Sequence, residues 1–394
     1  MSDAHMTSQT PDKNAGIMLV TRNFPPLLGG MERLNHHMLL GLVGEEPLYL
    51  VGPAGCRAHA PSNAHVIEVP AAPLWKFLIA ALAAALRLAR RRPRVILAGS
   101  GVTAPMAWLA AKLYGARSAV YLHGLDLVVP NGIYQRLWLP FIRRCDLAVT
   151  NSTNTARLAA EKGVEEYRLH VVNPGTELHG PDPRARVDFR NEHGLGQRPM
   201  LLSVGRLTPR KGLAEFVRDV MPGVLSVRPD AVLLVIGTDA KDALSTQPGS
   251  TRERVLATAR LGGALDAIRF LPPCDDATLH AAYHAADLHV FPVREIAGDV
   301  EGFGMVAIEA AAHGLPTVAY RTGGVGDAVL EGATGTLVRA GDHVAFGDAI
   351  LEWLSRAGEP AARDGCAGAA RVFAWSNFNS KLRGLLRMPS GSTG

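Results

Sequence analysis

Cysteine is scarce in this sequence, with four residues in a chain of 394. They stand far apart, as Cys56, Cys145, Cys274 and Cys366. Because no Cys-x-x-Cys pair occurs, the cysteines indicate neither a disulfide scaffold nor a zinc site. We therefore expect the protein to work in a reducing compartment, and the cytoplasm fits best.

The sequence also lacks a long hydrophobic run. Its most apolar segment, residues 77–86, lies between Lys76 and Arg87 and falls well short of the ~20 residues that a membrane-spanning helix needs. The first apolar run, residues 17–20, is too short for a secretory signal. The sequence therefore predicts neither a transmembrane helix nor a signal peptide.

No excess of charge of one sign is present either. The chain has 41 basic and 36 acidic residues and a formal net charge of +5, which is too mild and too dispersed for a nucleic-acid-binding protein. Anionic small molecules and negatively charged membrane surfaces remain as partner classes. With 47% hydrophobic and 20% charged residues, the composition is that of a globular protein long enough for two domains.

What the sequence does contain is an alternation of short apolar runs with stretches of helical length. The candidate strands of the first half are residues 16–21, 48–51, 66–69, 95–98, 118–122, 147–150 and 170–172. The stretches of helical length between them are residues 32–41, 74–92, 104–114, 133–144 and 153–162. This alternation predicts an α/β fold with a parallel, doubly wound sheet.

A stretch rich in Pro, Gly, Arg and Asp divides the alternation into two halves. Further candidate strands follow at residues 200–204, 232–236, 268–271, 288–291, 317–320 and 335–338. We therefore expect a first Rossmann-like domain over residues 16–180, a linker over 181–198 and a second Rossmann-like domain over 199–374. Residues 1–15 are expected to be a disordered or cloning-derived tail.

The segment around Gly302 and Gly304 predicts a helix start that binds an anion. The two glycines leave backbone N–H groups uncovered before a helix that begins near Met305, and the helix dipole favours a phosphate there. Glu301 precedes this start and Glu309 lies about two turns further along. Their carboxylates are suited to accept hydrogen bonds from the hydroxyls of a sugar and a ribose. An amphipathic helix with two exposed glutamates is the alternative.

Two other loops carry residues suited to a phosphate. Gly29 and Gly30 open a helix after the first strand, where they allow close backbone approach to a ligand or simply form a tight turn. Arg206 and Lys211 follow the first strand of the second half and offer a planar fork and a point charge to a diphosphate. A solvated loop is the alternative, and the Gly212 after Lys211 excludes a Walker-type triphosphatase.

His123 is predicted to lie at the carboxyl end of a strand, where open α/β sheets bind ligands. A histidine at such a place is also commonly structural. Asp126, three residues further on, is suited either to orient an acceptor hydroxyl or to cap a helix. The residues alone leave both alternatives open.

Together these motifs resemble those of the retaining nucleotide-sugar glycosyltransferases of family 4, which have the GT-B fold. The resemblance rests on the two glutamates around Gly302-Phe303-Gly304, on Arg206 with Lys211-Gly212, and on His123-Gly124. It implies two facing Rossmann-like domains with parallel sheets. It also implies a C-terminal helix, residues 375–388, that crosses back to the N-terminal domain.

The resemblance further implies a role for each site residue. The first domain would bind the acceptor and the second the nucleotide sugar, with Arg206 and Lys211 on the donor phosphates. Glu301 would contact the hexose, Glu309 the ribose, and His123 would lie near the reacting sugar. The implied donor-binding residues are Gly29, Gly30, Gly302, Phe303, Gly304, Met305 and Glu309, and the acceptor residue is Asp126.

The expected activity is transfer of a hexosyl unit from UDP- or GDP-hexose to a hydroxyl of a glycan or lipid-linked acceptor, in bacterial cell-surface glycan or glycolipid synthesis. No Asp-x-Asp element offers a metal clamp, so no metal ligand and no cofactor are predicted, and protein cations should neutralise the leaving diphosphate. A GT-B sugar-nucleotide epimerase and a non-catalytic nucleotide-sugar binding protein are the alternatives. A dehydrogenase is disfavoured because the dinucleotide fingerprint is poorly matched.

Two predicted helices combine basic with apolar or aromatic residues. Residues 74–92 end in three arginines, and residues 133–144 contain Trp138, Phe141 and two further arginines. A buried crossover helix with a solvated end is one interpretation of the first. Peripheral contact with the anionic inner face of the cytoplasmic membrane is the other hypothesis.

Overall fold

The computed structural model describes residues 16–44, 47–239, 250–272 and 274–387. The predicted tail, residues 1–15, and the last residue of the predicted C-terminal helix, Met388, lie outside the described residues. Contacts divide the described chain into two compact units. The first comprises residues 16–151, 155–172 and 378–387, and the second comprises residues 152–154 and 173–377.

The first unit is built on a parallel sheet of seven strands in the order β3-β2-β1-β4-β5-β6-β7. These strands are β1 Ile17–Val20, β2 Leu48–Pro53, β3 Ala64–Val69, β4 Val95–Ala98, β5 Arg117–Leu122, β6 Leu147–Thr150 and β7 Leu169–Val171. The central strands are buried along their whole length, because helices cover both faces of a doubly wound sheet. This explains why they are continuous apolar runs in the sequence.

Seven helices connect these strands. They are α1 Gly30–Gly41, α2 Leu74–Ala89, α3 Ala104–Tyr114, α4 Leu125–Val128, α5 Gly132–Leu137, α6 Leu139–Arg144 and α7 Thr153–Glu161. Helices α2, α3, α6 and α7 bury side chains in one apolar cluster against the sheet. These four helices therefore cover the same sheet face, as right-handed crossovers from β3 towards β7 require.

The second unit is built on a parallel sheet of six strands in the order β10-β9-β8-β11-β12-β13. The strands are β8 Met200–Val204, β9 Val232–Ile236, β10 Ile268–Leu271, β11 Leu288–Phe291, β12 Thr317–Tyr320 and β13 Gly335–Val338. The helices are α8 Pro183–Glu192, α9 Leu213–Asp219, α10 Met221–Val227, α11 Thr251–Leu261, α12 Asp276–Ala285, α13 Met305–Ala312, α14 Val325–Ala328, α15 His343–Arg356 and α16 Pro360–Ala369, and α17 Trp375–Arg387 begins in this unit. The predicted α/β class with two parallel sheets is confirmed.

Two segments differ from the sequence-based expectation for physical reasons. The single helix expected over residues 133–144 is divided into α5 and α6, since Pro140 supplies no backbone N–H and stands in the first turn of α6. The segment expected to be a linker, residues 181–198, contains α8. Asp182 caps this helix by accepting from two backbone N–H groups, and Pro183 occupies its first position.

Helix α17 leaves the second unit, and its residues from 378 onward belong to the first unit. Phe378, Leu382 and Leu386 are buried, and the guanidinium of Arg383 donates to the backbone carbonyl of Gly41 at the end of α1. The C-terminal helix therefore completes the apolar core of the unit in which the chain begins. Among the helices of the described residues, none has the length and apolar character needed to cross a membrane.

Candidate active site

The second sheet changes its direction of winding between β8 and β11. From β8 the chain proceeds to β9 and β10 on one side, and from β11 to β12 and β13 on the other. The loops that leave the carboxyl ends of these two strands consequently diverge and leave a crevice, which is where open α/β sheets bind ligands. The loop after β8 carries Arg206, Arg210 and Lys211, and the loop after β11 carries Asp299 and Glu301.

These two loops meet in a network of charged side chains. The Nζ atom of Lys211 lies 2.8 Å from Oε2 of Glu301 and 4.6 Å from the centre of the Phe291 ring. The guanidinium of Arg210 pairs with the same Glu301 oxygen and, through Nε, with Oδ1 of Asp299 at 2.9 Å. Two cations and two carboxylates are thus held together at the carboxyl end of β11.

The network is largely removed from water, and this shifts its ionisation. The side chains of Lys211 and Glu301 are 17% and 14% exposed. Burial alone would raise the pKa of Glu301, but the charges and hydrogen bonds of Lys211 and Arg210 outweigh it and lower that pKa to about 2. Burial lowers the pKa of Lys211 despite the attraction of Glu301. Glu301 is therefore a carboxylate at neutral pH, held by two cations.

Arg206 occupies a different position from Lys211. Its side chain is exposed, and its charge contributes to the lowering of the Lys211 pKa, after burial and the charge of Arg210. Arg206 and Lys211, the two cations selected from the sequence, therefore interact electrostatically, and Arg206 is exposed to solvent.

Close backbone approach fixes the loop that carries Glu301. Gly324, in the turn after β12, donates its N–H to the carbonyl of Glu301 at 2.8 Å. A Cβ on Gly324 would lie 1.9 Å from the carbonyl oxygen of Gly302, so no larger residue fits without moving the loop. Gly304 has φ 105° and caps the start of α13, a conformation that favours glycine.

Helix α13 places the remaining predicted donor residues. Gly302 and Gly304 precede its first turn, as predicted for an anion-binding start, and Met305 at its first position is half-buried. The Phe303 side chain is 2% exposed and meets the Phe373 ring edge-on with centroids 6.2 Å apart. Any contact of Phe303 with a donor would therefore come from its backbone.

Glu309 lies in the same helix but outside the charged network. It is half-buried, and its Oε2 accepts a hydrogen bond from the Tyr283 hydroxyl at 3.3 Å. Its backbone carbonyl is 2.7 Å from Nδ1 of His313. The structure thus holds the two glutamates in separate environments, one paired with cations and the other contacted by a phenol.

In the first unit, Gly29 caps the start of α1 and Gly30 is its first residue, and both are exposed. The carboxylate of Glu32, in the first turn of α1, lies close to Gly29, since a Cβ on Gly29 would come 2.3 Å from Glu32 Oε2. Glu32 Oε1 also accepts from the side-chain amide of Asn23 at 2.6 Å. A negative charge therefore stands at this helix start, a feature that the sequence argument did not consider.

His123 and Asp126 are brought together at the end of β5. The Nε2 atom of His123 lies 2.9 Å from the carbonyl oxygen of Gly99, which can only accept, so Nε2 carries a proton. Asp126 Oδ2 accepts from the His123 backbone N–H at 2.9 Å. This contact fixes the backbone of His123 and occupies one oxygen of Asp126, which is the second residue of α4 and not its N-cap.

Arg210 and Asp299 are members of the charged network that the sequence argument did not select. The available signal was their position, since Arg210 adjoins Lys211 and Asp299 stands two residues before Glu301. An acidic pair on one loop and a basic pair on the neighbouring loop are complementary. Sequence reasoning found one member of each pair and missed the other.

Two family models match this chain. The one described as Glycosyltransferase Family 4 matches residues 28–179, and the one described as Glycosyl transferases group 1 matches residues 186–370. The GDP-mannose-dependent alpha-(1-6)-phosphatidylinositol monomannoside mannosyltransferase of Mycobacterium tuberculosis is 30% identical over 412 residues, which cover 94% of this chain and 98% of that protein. The chain belongs to glycosyltransferase family 4.

Other similarities agree with this family 4 assignment. The D-inositol 3-phosphate glycosyltransferase of Acidothermus cellulolyticus is 34% identical over 257 residues, covering 62% of this chain and 54% of that protein. The crystal structure of Anabaena HepE in complex with UDP and glucose superposes with a TM-score of 0.75 at 18% identity, covering 95% of this chain and 100% of the other. The structural likeness confirms the predicted GT-B fold.

As a family 4 glycosyltransferase, the chain is an enzyme that transfers a hexosyl unit from a nucleotide sugar to a hydroxyl acceptor. This confirms the activity predicted from the sequence, and neither a sugar-nucleotide epimerase nor a non-catalytic binding protein is favoured. The roles of individual site residues in this family 4 member are proposals, which follow.

Proposed function

We propose that the enzyme transfers mannose from GDP-mannose, with retention of configuration, to a hydroxyl of a lipid-linked acceptor that contains phosphorylated inositol. The observation that carries this is the 30% identity, over 98% of its length, to a mannosyltransferase named for GDP-mannose and phosphatidylinositol monomannoside. A second group of relatives is named for inositol 3-phosphate. Phosphoinositol is the chemical unit that these two names share.

The charged network in the crevice of the second unit supports a diphosphate donor. Lys211 and Arg206, with the N–H groups at the start of α13, would neutralise the charge that develops on the leaving diphosphate. Glu301 holds Lys211 at this place before the donor arrives. Because Arg210 pairs with the same carboxylate, Glu301 keeps a cationic partner when Lys211 turns to the phosphate.

The two glutamates would recognise the two hydroxyl-bearing parts of the donor. Glu301, ionised and fixed by its cations, would accept from hexose hydroxyls, and Glu309 from the ribose. In the first unit, His123 would line the reacting centre with its Nδ1, because its Nε2 proton is directed to Gly99. The second oxygen of Asp126 would orient the acceptor. No covalent nucleophile is assigned.

A donor panel tests this function. Purified enzyme is given GDP-mannose, GDP-glucose, UDP-glucose or UDP-galactose with phosphatidylinositol or its monomannoside, and products are identified by mass spectrometry. We expect turnover with GDP-mannose to exceed that with the other donors, and GDP alone to raise the melting temperature more than UDP does. Release of free sugar without any acceptor would instead indicate an epimerase. A preference for UDP donors would overturn the donor assignment.

The diphosphate chemistry is proposed to proceed without a divalent cation in the active site. The expected result is that turnover is retained in excess EDTA and unaffected by added Mg²⁺, since Lys211, Arg206 and the α13 start supply the positive charge. Complete loss of turnover in EDTA, with recovery on adding Mg²⁺, would show that this proposal is wrong.

We further propose that the first unit contacts an anionic bilayer at the cytoplasmic face of the membrane. Trp75 and Ile79 of α2 and Ile133 and Leu137 of α5 are exposed large apolar side chains, and Lys76 lies 5.5 Å from the Trp75 ring. Helix α5 packs on α6, which shares a sheet face with α2. Exposed apolar residues beside cations are suited to an anionic interface.

Flotation with liposomes tests the membrane contact. The wild type should float with phosphatidylglycerol-containing vesicles at low salt and less with pure phosphatidylcholine, because the attraction is electrostatic. A Trp75→Ser, Ile79→Ser variant should float less. Val344→Ser removes an equally exposed apolar residue of the second unit and should not change flotation. Equal flotation of all three proteins, or none, would contradict the proposal.

A further inference from the structure

Three histidines from separate segments of the second unit converge at the carboxyl end of α13. They are His179 from the segment before α8, His280 from α12 and His313 after α13. One ring nitrogen from each lies within 4.8 Å of the others. We propose that these three imidazoles bind a transition-metal cation of the Zn²⁺ type, at a site that is separate from the donor crevice.

The hydrogen bonds of His313 orient it as a ligand. Its Nδ1 lies 2.7 Å from the carbonyl oxygen of Glu309, which only accepts, so Nδ1 carries the proton and Nε2 presents a lone pair. That Nε2 lies 2.8 Å from Nδ1 of His280 and accepts its proton, a hydrogen bond that a bound metal ion would replace. An imidazole whose other nitrogen donates to a carbonyl is the usual arrangement of a metal-ligating histidine.

The position of the cluster at the end of a helix also suits a bound cation. His313 caps the carboxyl end of α13, where the helix dipole favours a cation.

The distances require only a small adjustment to reach coordination. Two nitrogens on one tetrahedral zinc ion are ~3.4 Å apart, since each Zn–N bond is ~2.1 Å, against the 4.8 Å spread of the cluster. His179 is exposed, while His280 is half-buried and His313 buried. Rotation of the exposed His179 ring would bring its nitrogen to the same zinc ion as the other two rings. The solvent-facing side would remain open for a water molecule as fourth ligand.

A fourth histidine nearby is left out of the ligand set. The ring of His284 meets that of His313 edge-on with centroids 4.8 Å apart. Its Nδ1, however, accepts the backbone N–H of Asp182 at 3.2 Å. His284 therefore accepts a hydrogen bond at the start of α8, and its ring packs against the three-histidine cluster.

The site and the donor crevice lie at opposite ends of α13, ~12 Å apart along the helix axis at 1.5 Å per residue. The metal would tie the segment before α8 to α12 and α13, and thereby fix the helix that carries Glu309. Its expected effect is on stability, and the test does not depend on turnover.

The experiment uses the full chain without a polyhistidine tag, stripped with EDTA and desalted. Zinc chloride is titrated by calorimetry, and Co²⁺ is added as a spectroscopic probe. We expect one equivalent of zinc, visible Co²⁺ absorption typical of nitrogen coordination, and a melting temperature that rises with zinc concentration. His280→Asn and His179→Gln should each weaken zinc binding by on the order of 10²-fold or more.

His65→Gln, an exposed histidine of the first unit, is the matched control and should bind zinc like the wild type. His179 is exposed, so its replacement leaves the fold intact even if His280→Asn does not fold. Absence of zinc binding by the wild type, or equal binding by wild type and His179→Gln, would overturn the proposal and leave the cluster as a stack of packed rings.

Discussion

Lys211 and Glu301 form an ion pair that is mostly removed from water, and each depends on the other for its charge. Burial disfavours both charges, and the pair persists because Arg210 supplies a second cation to the same carboxylate. An unpaired member would be left with an uncompensated buried charge. Substitutions of the two residues should therefore have different consequences.

Replacing Lys211 should impair catalysis more than folding. In Lys211→Ala, Glu301 retains Arg210, so the chain should fold, whereas the leaving diphosphate loses a cation. We expect kcat to fall by ~10²–10³-fold, measured by steady-state kinetics with saturating donor. Lys112→Ala removes an exposed lysine of α3 and should leave kcat unchanged. An unaltered kcat in Lys211→Ala would remove it from the proposed mechanism.

The ionisation of Glu301 should appear in the pH dependence of stability. Its pKa is lowered from 4.5 to about 2, so its stabilising contribution is present above pH ~4.5 and is lost as the pH falls towards ~2. The contribution is at most about 3 kcal/mol, and the lowered pKa of Lys211 makes it smaller. The difference in free energy of unfolding between wild type and Glu301→Gln, from urea titrations, should shrink over that interval. A difference that stays constant from pH 5 to pH 2.5 would contradict the ion pair.

At the level of secondary-structure elements, the start of α13 depends on the turn after β12. Gly324 donates to the Glu301 carbonyl and leaves no space for a side chain. The helix start, the carboxylate and the turn are consequently one assembly. A substitution in this turn should therefore weaken donor binding, although no residue of the turn belongs to the charged network.

Gly324→Ala should therefore weaken donor binding and stability together. Its Cβ would overlap the Gly302 carbonyl, and such overpacking costs about 1–3 kcal/mol. The KM for the donor should rise by about tenfold, and the melting temperature should fall. Gly326→Ala is the matched control, because its nearest neighbour is 4.0 Å away and alanine suits the short helix α14. Equal behaviour of the two variants would show that the turn does not position Glu301.

For the molecule as a whole, helix α17 makes the first unit depend on the last residues of the chain. Three apolar residues of this helix are buried in the unit that contains β1, and Arg383 reaches the end of α1. The core of the first unit is completed only when residues 378–387 are present. Its stability should be sensitive to changes near the C-terminus.

Leu382→Ala and Lys381→Ala, at adjacent positions, test this dependence. Leu382 is 1% exposed, so its truncation should cost about 2–5 kcal/mol. At about 2–4 °C per kcal/mol for units of this size, calorimetry should show a melting temperature lower by at least ~4 °C. Lys381 is exposed, and its replacement should change stability by less than about 0.5 kcal/mol. Similar losses for both variants would contradict burial of α17.

The sequence by itself determined the alternation of strands and helices, the two parallel sheets, the family, and the start of α13 after its two glycines. These features follow from local rules, since buried parallel strands are continuous apolar runs and a helix start needs particular backbone conformations. Helix α8 shows the limit, because its Pro and charged residues suggested a linker although Asp182-Pro183 is a helix start signal.

Only the tertiary structure decided which charges meet. Lys211 and Glu301 are 90 residues apart in sequence, and they pair because parallel strands bring their carboxyl ends to one edge of the sheet. The same holds for the burial of Phe303 against Phe373 and for the three histidines of the proposed metal site, which come from three segments with no common motif. Periodicity and turn chemistry act over a few residues, whereas these contacts depend on how the elements pack.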